Sequence, residues 1–227
     1  MFGHIAPSYD LLNHLLSLNV DKYWRWRTTR LVPPQGKAPI LDLCTGTGDL
    51  ALAYDRAAAG KAEIVGADFC HEMLMVAGNK IDRRRASPRI RILEADAQRL
   101  PLPDNFFEIV TVAFGLRNVT DTDRGLAEMV RVTRPGGRVA ILEFSRPRGW
   151  FFGRLYRIYF THILPLVGQA ISRSKDNAYR YLPASVQEFP DGAQLAARLG
   201  RHGLVDVRWH PFTFGIATLY VGTKGAA

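Results

Sequence analysis

The chain is poor in thiols: Cys44 and Cys70 are the only two in 227 residues, and neither stands in a CxxC pair. Two isolated cysteines argue against a disulfide framework and against a thiolate metal site, and they fit a reducing cytoplasm. No metal is expected. Long apolar runs are missing as well, since no stretch reaches the roughly 18 uncharged residues that a membrane span requires. The opening MFGHIAPSYD has neither the basic patch nor the apolar core of a secretory signal. No internal repeat, low-complexity linker or aromatic-interleaved basic stripe occurs, so nucleic acid is not an expected partner. What remains is ordinary globular composition, 47% hydrophobic and 22% charged, in a length that suits one α/β domain. The net charge of +9, with clusters at Arg83–Arg85 and at Arg25, Arg27 and Arg30, fits an anionic membrane surface, an anionic ligand or a plain solvated surface.

From about residue 39 short β-branched runs alternate with helical patterns, the mark of a parallel sheet covered by helices. Strands are predicted at Ile40–Cys44, Glu63–Asp68, Ile90–Glu94, Ile109–Ala113, Arg138–Glu143, Leu204–Trp209 and Ala217–Thr223. The intervening DLALAYDRAA, HEMLMVAGNKIDRR and DTDRGLAEMVRVTR repeat apolar residues at helical spacing. Thr120 with Asp123 reads as a capping box for the third of these, and Pro135-Gly136-Gly137 as its end. The expected organisation is a single domain: a helical cap over 1–32, a core over 39–145, an inserted segment over 146–185, and a closing helix and strands over 186–227.

The strongest local signal is ILDLCTGTGDLA, residues 40–51. A buried strand ends at Asp42, Gly46 and Gly48 let the backbone turn beneath a ligand, and a helix starting near Asp49 directs its free N–H groups at that ligand. Asp68 closes the second strand at the distance expected of a carboxylate that grips ribose hydroxyls. Asp49 stands where a dinucleotide loop would carry a third glycine; a carboxylate there suits a cationic ligand better than a pyrophosphate. The pattern resembles the first motif of class I S-adenosylmethionine (SAM)-dependent methyltransferases, with a nicotinamide site or a structural βα turn as the alternatives. That resemblance implies a Rossmann-like α/β fold, a mostly parallel seven-stranded sheet with helices on both faces, and S-adenosyl-L-methionine as cofactor. Asp96 and Ala97, after the third strand, match the segment that holds the adenine; a capping role is the alternative for Asp96.

Four stretches narrow the resemblance: FGHIAPSYDLLNHLLSLNVDKYWR, PDNFFEIVTVAFGLRNVTDTDRGLAEMVRVTRPGGR, AYRYLPASVQEFPD and FTFGIATLYVGTK. They are similar to the ubiquinone/menaquinone biosynthesis C-methyltransferase family (UbiE/MenG type) over nearly the whole chain. The resemblance implies cofactor contacts at Thr47, Asp68, Asp96 and Ala97 and at position 113, where Ala113 stands in place of a serine common in the family. Thr45 replaces a frequent glycine and is expected to reshape the loop slightly.

The implied reaction methylates a ring carbon of a polyprenylated quinol, demethylmenaquinol or the ubiquinol precursor, with the opening sequence leaning towards the former. A quinol carbon is a poor nucleophile until a neighbouring hydroxyl loses its proton, so the site must favour the phenolate. Arg117 is expected to stabilise that oxygen, Asn118 to bond the second ring oxygen, and Tyr9 to close over the ring or relay a proton. Each has a structural alternative: an ion pair for Arg117, a helix cap for Asn118, core packing for Tyr9. Tyr179 and Tyr181 are further pocket candidates. The segment from Trp150 to Ile171 suits a prenyl-tail channel, a membrane-surface helix or a lid. Peripheral contact at the inner face of the cytoplasmic membrane, and a homo-oligomer, are compatible with this reading. The competing functions are methylation of another small aromatic or lipid, and an RNA-binding role suggested by the charge.

Overall fold

Strands apolar on both faces need a sheet covered on both sides, and β1 (Ile40–Leu43), buried at all four positions, is such a strand. The computed structural model describes residues 10, 13–14, 17–86, 88–147 and 184–225. Tyr9, Tyr179, Tyr181 and the 150–171 segment lie outside them. After β1 come β2 (Ile64–Asp68), β3 (Ile90–Glu94), β4 (Phe107–Ala113), β5 (Thr133–Phe144), β6 (Leu204–Phe212) and β7 (Ala217–Lys224), in one seven-stranded sheet of order β3-β2-β1-β4-β5-β7-β6. The first five run parallel, and β7 is antiparallel to both β5 and β6. The expected mostly parallel Rossmann-like sheet is therefore present.

The helices divide between its faces. Trp24 of α1 (Val20–Leu31), the apolar side of α2 (Asp49–Ala57), and Ala77 and Ile81 of α3 (His71–Arg83) share one core with Ile40, Ile64 and Ile109. Leu126 and Met129 of α4 (Thr122–Val132), with Leu195 and Leu199 of α5 (Ala193–Arg201), cover Leu41, Val110 and Ile141 on the other face. None of the described helices is long and apolar enough to cross a membrane.

Two local expectations are corrected. Asp121, not Thr120, caps α4, accepting the Arg124 N–H at 3.0 Å, so the helix starts one residue later. That helix ends at Val132, and the Pro-Gly-Gly stretch already belongs to β5. There the β4–β5 register shifts between Phe107 and Ile109, and the interrupted ladder tolerates a proline that lacks an N–H and Gly136 at φ 74°. In the loop after β1 the left-handed residues are Cys44, Gly46 and Gly48.

Candidate active site

Order reverses between β1 and β4, so the loops leaving these strands diverge and open a crevice at their carboxyl ends. The β1 loop is bent by left-handed conformations at Cys44 (φ 51°), Gly46 (φ 56°) and Gly48 (φ 81°). Asp42 braces it from behind: one carboxylate oxygen accepts the Thr45 hydroxyl at 2.6 Å and the Ala51 N–H at 3.0 Å, tying strand, loop and α2 together. Burial pushes the Asp42 carboxyl up to about 7, against the pull of those two hydrogen bonds. Asp68 braces the loop from β2, accepting the Gly46 N–H at 2.8 Å and the Cys70 N–H at 2.9 Å. Its carboxyl is raised by burial.

These loops enclose a cavity of about 330 Å³, within the range of small-ligand sites. Of the residues predicted from sequence, Gly46, Asp68, Asp96, Ala97, Ala113 and Asn118 line it. Nothing lies within 4 Å of where a Gly46 side chain would stand, so the backbone faces open space. Asp96 accepts the Gln98 N–H at 2.9 Å, which holds its carboxyl below the usual range. Two carboxylates with lone pairs to spare thus flank a space floored by a glycine-bent loop. Two such acceptors fit a ligand that carries hydroxyl and amine donors, and their charge suits a cationic one, as SAM would require.

Asp42, Thr47, Gly48 and Arg117 are not on the cavity wall. Gly48 is the N-cap of α2, against Ala77. Thr47 turns away, its hydroxyl donating to Asp10 at 2.5 Å and accepting from Lys80 at 3.1 Å. Asp49 was expected to offer its charge to the ligand. Instead Lys80 pairs with it at 2.8 Å and Arg25 stands 3.7 Å away. Burial would raise the Asp49 carboxyl, but Arg25 and Lys80 hold it below the usual range. His14, Asp21 and Asp49 come within 4.8 Å of one another. With Arg25 at 2.5 Å from Asp21, this is an ion-pair network tying the cap to the loop.

At the end of β4 the chain turns sharply. Phe114 has φ 59°, and a Cβ on Gly115 would overlap the Cβ of Cys44. Arg117 lies behind this turn with its guanidinium 2.6 Å from Glu143 and 2.5 Å from the Phe114 carbonyl. Asn118 faces the cavity; its Nδ2 reaches the Phe114 carbonyl only at 3.5 Å, and its buried Oδ1 has no partner among the described residues. It caps no helix. Phe114 also lines the cavity and packs on Phe144 at 4.4 Å and Trp24 at 5.8 Å between ring centroids. Sequence reasoning missed Phe114, Cys44 and Glu143. A carboxylate closing the otherwise apolar run VAILE was the visible sign of Glu143; nothing local marked the other two.

The model of the ubiE/COQ5 methyltransferase family matches residues 1–224. A demethylmenaquinone methyltransferase of Thermus thermophilus is 48% identical over 99% of this chain and 100% of its own length. A ubiquinone/menaquinone biosynthesis C-methyltransferase of Geobacter sulfurreducens is 44% identical over 99% of this chain and 87% of its own. Among solved structures, a SAM dependent methyltransferase from Aquifex aeolicus superposes with a TM-score of 0.65 at 14% identity, covering 94% of this chain and 97% of that one, a likeness of fold alone. Taken with the glycine-bent loop and the paired carboxylates of the crevice, the match over nearly the whole chain makes it a member of the ubiE/COQ5 methyltransferase family.

Proposed function

We propose that the chain methylates a ring carbon of a polyprenylated quinol, demethylmenaquinol first and the ubiquinol precursor second, as a step in respiratory quinone biosynthesis. SAM-dependent methyl transfer belongs to the family. The names of the relatives, a demethylmenaquinone methyltransferase among them, support the acceptor. The observation that carries the reading is the cavity's two-ended character: Asp68 and Asp96 on one side, Phe114 and Asn118 on the other.

SAM, when bound, supplies a methyl group on a positively charged sulfur. The chain's own residues do the rest. Asp68, Asp96, Ala97, Ala113 and the Gly46 loop would hold the cofactor, while Asp42, Thr47 and Gly48 hold the loop. Phe114, backed by Phe144 and Trp24, offers a flat apolar wall to an aromatic acceptor. Asn118 Nδ2 has a second hydrogen besides the one directed at the Phe114 carbonyl, and its donation to a ring oxygen in a dry cavity favours the charged phenolate. Arg117, neutralised by Glu143, acts from behind by fixing the Phe114 carbonyl and so the turn that carries Asn118. Tyr9 remains the candidate for closing over the ring or relaying a proton. The segment from Trp150 to Ile171 is assigned to the prenyl tail, and the inner face of the cytoplasmic membrane is where such an acceptor is met.

The test incubates purified protein with labelled SAM and reduced, short-tailed demethylmenaquinol, following label into the ring by mass spectrometry. Ring-carbon methylation is expected. Asn118→Ala should lower kcat on the order of a hundredfold, the scale of losing one donor to a developing oxyanion, with SAM affinity unchanged. Cofactor binding without transfer to either quinol would sink the acceptor assignment and leave a methyltransferase of another small aromatic or lipid.

A further inference from the structure

The outward face of α1 takes no part in the site, yet its composition is one-sided. Lys22, Tyr23, Trp26, Arg27 and Arg30 recur at the spacing of one helical face. Tyr23 is 47% and Trp26 50% exposed, and Leu18, just before the helix, is 78% exposed. Asp21, the only acid in α1, is buried and paired with Arg25, so no carboxylate of the helix opposes the three cations.

The aromatics form a ladder: Tyr23 lies 5.9 Å from Trp26 and 6.5 Å from Phe212 of β6, with Arg30 over Trp26 and Arg27 over Phe212. The edge strand β6 extends the charge. Arg208 lies on that strand and Arg27 sits over the ring of its Phe212.

We propose that this face is a docking surface for an anionic phospholipid bilayer. A half-exposed tyrosine and tryptophan, arginine guanidiniums over aromatic rings, and an exposed leucine at one end match the headgroup–acyl boundary. The cations match the negative potential of that surface. Nucleic acid fits less well. Binding of successive bases needs a row of open ring faces, and here Phe212 is buried and Arg30 covers one face of Trp26. The inner face of the helix packs Trp24 on Phe114 and Phe144, so docking would bring the cavity's aromatic wall within about one helix diameter, ~10 Å, of the lipid. Use of this closeness to meet a lipid-tailed acceptor rests on the function proposed above; the docking itself does not.

The experiment is flotation of the full chain with vesicles of equimolar phosphatidylglycerol and phosphatidylcholine, against phosphatidylcholine alone. Binding is expected only with the anionic lipid. Lys22→Gln with Arg30→Gln should weaken it roughly 25-fold, about fivefold for each cation lost. Trp26→Ala should weaken it even at high salt. Unchanged thermal melting and SAM binding in the variants establish that they fold. Equal binding to both vesicles, or a double variant that floats like the parent, overturns the proposal. So does a single-stranded RNA homopolymer that displaces the protein from vesicles and loses affinity in the same double variant. Transfer to a detergent-dispersed short-tailed quinol should be unaffected in the double variant, while transfer to a vesicle-embedded one should fall. If no quinol is methylated by the parent, the acceptor assignment fails while the flotation result stands.

Discussion

Asp42 and Asp68 both carry charge in places where water is scarce, and they answer differently. Asp42 has two donors on one oxygen and, among the described residues, none on the other, and its carboxyl rises to about 7. Between its ordinary value of 3.8 and about 7 the folded chain holds a proton that the unfolded chain has released. Stability contributed by Asp42 is therefore present at the acid end of that window and is lost as pH rises through it, by at most about 1.4 kcal/mol per pH unit. Asp42→Asn keeps an acceptor for Thr45 and Ala51 but does not titrate. The gain in Tm over the parent should widen from about pH 4 to about pH 7 and then level off; thermal melts across that range read it directly, and a constant difference would mean that Asp42 does not titrate there. Asp68 instead satisfies the Gly46 and Cys70 N–H groups and retains lone pairs for a ligand. Asp68→Ala strands both donors and removes a charged partner worth about 1.5–3 kcal/mol per hydrogen bond. Calorimetric SAM affinity should drop at least tenfold.

Between elements, the decisive contact is the one the β1 and β4 loops make at Cys44 and Gly115. A methyl on Gly115 would overlap the Cys44 Cβ, so Gly115→Ala must push the two loops apart. Overpacking of this kind costs about 1–3 kcal/mol, and the cavity between the loops should lose SAM affinity with it. Cys44→Gly removes the obstructing atoms and suits the left-handed φ of 51°. The double variant should recover most of the loss, and additive effects in denaturant melts would refute the interlock. The same contact marks where sequence reading stops. Strands and helices were legible because alternating apolar runs and 3.6-residue periodicity are local, and so were Gly46 and Asp68, whose spacing a βα unit imposes. Asp49 was misread because Lys80, thirty-one residues away, neutralises it. The partner of Arg117 was open for the same reason, since Glu143 arrives on another strand. Residue type says that a charge needs a partner; only the fold says which.

At the scale of the molecule, the cavity sits on the seam between two halves of one sheet. β1 to β3 supply Asp68 and Asp96, β4 supplies Phe114 and Asn118, and four residue pairs from Ile40↔Ile109 to Leu43↔Val112 join the halves. Helix α1 crosses the seam on one side, with Arg25 near Asp49 of α2 and Trp24 against Phe144 at the end of β5. SAM is assigned mainly to the β1–β3 half, but every residue of β1 is paired to β4, so the two halves should melt together and the binding energy of SAM should stabilise the whole sheet. At SAM concentrations about a hundred times its Kd the gain is ~2.7 kcal/mol. For a chain of 227 residues that corresponds to a rise in Tm of roughly 5–11 °C. Scanning calorimetry should show one transition that moves as a unit. Two transitions, with only one shifted by SAM, would mean that the cofactor half folds alone and that the β1–β4 seam is a boundary between separately melting units.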